Sequence, residues 1–81
     1  MQKRSLCDLA PGERGTVTAL TADAGMRRRL LDIGFIPGTP VTCIGRSPFG
    51  DPAAYLIRGT VIAIRKKDGR TVRLDREANR P

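Results

Sequence analysis

Two cysteines, two serines and eight carboxylates are the side chains from which this 81-residue chain could build chemistry, and it has no histidine. Without imidazole, the common Ser/His and Cys/His routes to an activated nucleophile are closed. Ser5 stands near the N-terminus and Ser47 in a proline-glycine segment, neither with a base close in sequence. Cys7 is followed by Asp8, a carboxylate where a reactive thiolate would want a cation. No catalytic residue is therefore assigned, and the chain is not expected to be an enzyme. Metal binding meets the same deficit. Cys7 and Cys43 form no C-x-x-C unit, and Asp8, Glu13, Asp23, Asp32, Asp51, Asp68, Asp75 and Glu77 are scattered. No preformed metal or cofactor site is expected. A weak surface site through Cys7 and a carboxylate, within one molecule or between two, is the most this set allows.

Charge directs attention to partners. The formal net charge is +7, and from Arg58 to Pro81 eight Lys/Arg stand against three acids. Such a field suits phosphate, an anionic membrane surface or an acidic protein. Arg27, Arg28 and Arg29 are the densest cluster, but on a helix three consecutive residues spread over about 200° and cannot all grip one partner. A solvated face with Arg28 near Asp32 at i+4 accounts for them; a contact with an acidic protein through Arg28 is the sharper reading. Single-strand nucleic acid binders stack bases on exposed aromatics. Only Phe35, Phe49 and Tyr55 are available, and Phe35 and Tyr55 are wanted in the core, so specific nucleic-acid binding is not expected.

The length allows one domain, 1–81, with an ordered core over about 5–75 and a polar tail at 76–81. Apolar runs such as Thr60-Val-Ile-Ala-Ile64 fall well short of the ~20 residues of a membrane span, and no signal peptide is evident. A cytoplasmic location follows, with Cys7 and Cys43 as thiols. Leu6 and Leu9 anchor the N-terminal segment, after a loose stretch at 1–4. The β-branched run 15–20 is the first strand, with Val17 inward. Asp23 caps a helix over 24–33, on which Met26, Leu30 and Ile33 form an inward stripe. Gly34 ends it at positive φ, and Ile36-Pro37-Gly38-Thr39 fits a type II turn. Strands follow from Pro40, over 53–58 and 60–64, and over 71–75, with a turn or 3₁₀ turn at 66–70. The reading is a mainly β fold: a small five-stranded barrel with one short α-helix between strands 1 and 2. Leu30, Ile33, Val41, Ile57, Ile62 and Ile64 are expected to share one core.

Strict alternation in 53–58 and 60–64 leaves Leu56 and Val61 facing outward on adjacent strands, with Ala54 and Ala63 beside them. Adjacent exposed apolar residues mark contacts more often than scattered ones do. The exposed loop 47–52, with Phe49 at its tip, is the second candidate. Phe49, Leu56, Val61 and Arg28 are the partner-binding residues expected from the sequence.

Four segments in order carry a further reading. Arg29-Leu-Leu-Asp-Ile-Gly-Phe-Ile-Pro-Gly-Thr-Pro-Val41, Ser47-Pro-Phe-Gly-Asp-Pro52, Ile57-Arg-Gly59 through Ile64-Arg65, and Leu6-Cys-Asp-Leu9 with Pro11-Gly12 resemble the FeoA family of SH3-like barrels. Lys67-Asp-Gly69-Arg departs from it, where the family more often carries alanine. The resemblance implies an accessory or regulatory protein of bacterial ferrous iron uptake that binds the GTPase-containing cytoplasmic part of a FeoB-like membrane permease. It also admits weak self-association. Because the same barrel occurs in repressors resembling the diphtheria toxin repressor, a regulatory SH3-like interaction domain of metal-dependent transcription control is the alternative, with a weak nucleic-acid-binding barrel behind it.

Overall fold

Turn residues divide the chain before packing does. In the computed structural model, which describes residues 4–76, β1 (Arg4–Ser5) runs into a 3₁₀ turn (Leu6–Asp8), then β2 (Arg14–Leu20) and α1 (Ala24–Ile33). β3 (Pro40–Arg46), β4 (Ala53–Ile57), β5 (Thr60–Ile64), the single helical turn α2 (Lys66–Gly69) and β6 (Val72–Arg76) follow. All ladders are antiparallel, in the order β1-β6-β2-β3-β4-β5. Pro40 opens its strand, where its missing N–H costs least.

The sheet has six strands where five were expected, so the helix lies between the second and third. The extra strand is the two-residue β1, whose Arg4 and Ser5 pair with Leu74 and Arg73. Two residues carry no periodicity to read, so the sequence alone assigns Arg4 to a loose stretch. At the other end Arg76 pairs with Gly15, which takes the last strand one residue into the expected tail. The remainder of that tail, 77–81, and the opening 1–3 lie outside the described residues.

Each terminus of α1 is built as its residues dictate. Asp23 Oδ1 accepts from the Met26 N–H at 3.0 Å. At the other end the Phe35 N–H reaches Leu30 O at 2.9 Å and the Gly34 N–H reaches Leu31 O at 3.1 Å, with Gly34 at φ 131°. This 6→1 and 5→2 pair is a Schellman closure. Thr39 N–H to Ile36 O at 3.0 Å, with Gly38 at φ 98°, completes the expected turn.

Inward residues from every long strand form one cluster with Leu6, Leu9, Leu30 and Phe35, so the sheet must wrap its inner face around a common core. Val41, Ile57 and Ile64 belong to it as expected, and Ile62 packs partly buried against it. Ile33 does not belong: it is 37% exposed, and of its stripe only Leu30 is fully buried. The helix ends just after Ile33, and Phe35, reversed by the cap, fills the core at that end instead.

Candidate partner-binding surface

The β4–β5 hairpin turns through Arg58 and Gly59, both at positive φ (51° and 80°), as a primed two-residue loop requires. That loop fixes the register: Tyr55 faces Ile62 and Leu56 faces Val61. Because neighbours along a strand point to opposite faces, burying Tyr55 (2% exposed) and Ile57 forces Leu56 and Val61 outward. They are 37% and 59% exposed and lie directly across from one another. Thr42 of β3 pairs with Leu56 on the other side.

Ile44, 49% exposed, extends the apolar surface onto β3. It was not among the residues singled out, although alternation from Val41 and Cys43 already turns it away from the core. It sits where the β3–β4 register shifts, so two residues there oppose one. Pairing partners of that kind are not legible in a single strand's sequence.

Phe49 is 95% exposed in the loop joining β3 and β4. The loop is braced from within by Ser47 N–H to Pro52 O at 3.0 Å and Gly50 N–H to Ser47 O at 2.8 Å. Asp51 Oδ1 also accepts the Lys66 N–H at 2.8 Å, fastening the loop to the start of α2. Arg28 is exposed on α1, a separate element. Among the described residues no ion pair joins it to Asp32, contrary to the i+4 expectation; Arg4 and Glu13 do form one, at 3.4 Å. Thus Leu56 and Val61 are brought together, while Phe49 and Arg28 occupy other elements.

Groups with reactive potential are engaged in structure. Cys43 is fully buried, and desolvation pushes its thiol pKa up. Burial likewise raises the Tyr55 phenol, to about 12. Asp8 Oδ2 accepts the Ser5 N–H at 2.9 Å and lies 3.2 Å from Ser5 Oγ, which is itself 3.1 Å from Cys7 Sγ. This cluster holds the N-terminal turn. Arg46 Nη2 donates to the carbonyls of Leu9 at 2.7 Å and Cys7 at 3.2 Å, tying that turn to β3. Among the described residues, no group of three or more Cys, Asp or Glu could hold a metal ion, and no helix is long and apolar enough to cross a membrane.

A family model described as the FeoA domain matches residues 4–76. The Fe(2+) transport protein A/Fe(2+) transporter FeoB fusion protein of Porphyromonas gingivalis is 24% identical over 70 residues, 86% of this chain and 8% of the fusion. This chain therefore spans a small part of that relative. A FeoA-like protein from Clostridium acetobutylicum superposes with a TM-score of 0.89 at 22% identity, covering 100% of this chain and 94% of its own. Stenotrophomonas maltophilia FeoA complexed with zinc, described as a procaryotic SH3 domain protein, gives 0.79 at 25% identity and 89% of each chain. The architecture is thus SH3-like.

Proposed function

The chain belongs to the FeoA family, and from that premise we propose that it is a cytoplasmic, non-enzymatic accessory protein of ferrous iron uptake. It binds the GTPase-containing cytoplasmic part of a FeoB-like permease through the outward face of β4 and β5. The observation that carries the site is the cross-strand pair Leu56–Val61, two large apolar side chains left in solvent on paired strands with Ile44 exposed on the strand beyond. Support for the partner comes from the Porphyromonas fusion, which joins Fe(2+) transport protein A and FeoB in one polypeptide. The Stenotrophomonas protein has been put forward as a ferrous iron transport activating factor. Arg28 and the Phe49 loop are flanking contacts in this proposal.

The test is a titration of the permease's isolated cytoplasmic domain with the parent and Leu56→Glu. A charge buried in an apolar interface should weaken binding at least ~tenfold, while circular dichroism and the melting curve stay those of the parent. Unchanged affinity in a folded variant overturns the site. A salt series adds a second discrimination: an apolar contact is held at high salt, whereas binding dominated by phosphate neutralisation falls log-linearly and flattens when Lys66, Lys67, Arg70 or Arg73 is neutralised. With Phe35 and Tyr55 buried, Phe49 is the sole exposed aromatic among the described residues, so oligonucleotides should bind weakly and without sequence preference.

A further inference from the structure

Among the described residues β5 ends the sheet order, so the backbone groups on its side away from β4 have no strand to pair with. Beside that edge runs a groove of about 450 Å³ between α1 and the β5–α2 junction. Its apolar lining includes Leu30, Ile33, Ala63 and Ile64, with Ile33 the helix residue left unburied by the core. Around it stand three cations, Arg29, Arg65 and Lys67, against one carboxylate, Asp68.

We propose that this groove and the free edge of β5 form a second docking site, for an extended acidic segment of a partner protein. The segment adds as a strand to β5, seats one apolar side chain between α1 and β5, and meets Arg29, Arg65 and Lys67 with its carboxylates. Strand addition supplies main-chain hydrogen bonds, and a pocket reading alternate side chains supplies selectivity. Charge chooses among occupants. A second copy entering antiparallel would bring Arg58 and Arg65, which flank β5 in sequence, against their counterparts in a chain of net charge +7. Like charges so placed oppose association, whereas an acidic segment relieves them. The site adjoins the Leu56–Val61 surface at Ala63, but neither Leu56 nor Val61 lines it.

A labelled dodecapeptide alternating leucine or valine with glutamate is the probe, beside its glutamine counterpart, each titrated against the full chain by fluorescence anisotropy. The acidic peptide should bind, the glutamine peptide at least ~tenfold more weakly, and the exposed double reversal Arg29→Glu/Lys67→Glu should lower acidic-peptide affinity by a similar factor. Amide shifts should concentrate in β5 and α1. Leu56→Glu should bind the peptide as the parent does, which separates failure here from failure of the outward face. Equal binding of both peptides, an unaffected double reversal that remains folded, shifts confined to other elements, or self-association that competes with the peptide would each overturn the proposal.

Discussion

Replacing Gly34 tests how the helix is stopped. At φ 131° an L side chain is strained by about 1–3 kcal/mol. A Cβ there would also lie 3.0 Å from Arg58 Cδ and 3.9 Å from Ile57 Cγ1. The Arg58 contact adds little, because the far part of a flexible stem can move aside. The alternative is to abandon the cap, which would pull the fully buried Phe35 from the core; losses of that type run to about 3–5 kcal/mol. Strain is the smaller cost, so Gly34→Val should keep the cap and lose about 1–3 kcal/mol. At about 4–8 °C per kcal/mol for a domain of this size, the melting temperature should fall by roughly 4–24 °C. Asparagine tolerates positive φ near about +57°, far from the value here, so Gly34→Asn should recover only part of the loss. Urea and thermal melts followed by far-ultraviolet dichroism measure both, and amide shifts report whether Phe35 stays inside. A Gly34→Val melt that overlays the parent would refute the capping argument.

Leu30→Ala should cost about 2–5 kcal/mol, since Leu30 is 1% exposed, whereas Ile33→Ala, at a 37% exposed site, should cost clearly less; equal urea midpoints for the two would show that the helix is docked on another face. Tyr55 should make stability fall at alkaline pH. Its phenol is held at about 12 against an ordinary 10, so the folded state keeps a proton that the unfolded state sheds. Stability from this group is complete below pH 10 and is lost as pH rises toward 12, by up to about 1.4 kcal/mol per pH unit, and the raised Cys43 thiol acts in the same direction. Melts from pH 8 to 11.5 should show a shallower alkaline limb for Tyr55→Phe; identical limbs would remove the linkage.

What the sequence disclosed were features written in few residues. Asp23, Gly34 and the Pro37-Gly38 turn each announce a backbone conformation, and all three appear as read. Period-two alternation separated Tyr55 and Ile57 from Leu56, and Ile62 and Ile64 from Val61, so the outward pair is legible in the sequence while the strand pairing at Ile44 is not. Long-range partners were hidden. β1 exists because Arg4 and Ser5 meet β6, some seventy positions on, and the exposure of Ile33 depends on where Phe35 comes to rest. The groove beside β5 was equally invisible, since its walls come from segments thirty residues apart and its meaning rests on which edge of the sheet stays unpaired.

The β1–β6 ladder has a consequence for how the molecule can be attached to anything else. Arg4 lies opposite Leu74 in antiparallel register, so the described chain enters and leaves the fold side by side, about 5 Å apart. A tether at either end of the described fold therefore pulls on the same pair of strands. Loop-closure entropy rises slowly with length, so a short flexible link there would confine the domain near its target at little cost. The same closeness makes the ends suited to being joined, with a new opening cut at the exposed Arg58-Gly59 turn: such a circular permutant would keep every ladder but free the β4–β5 hairpin to separate.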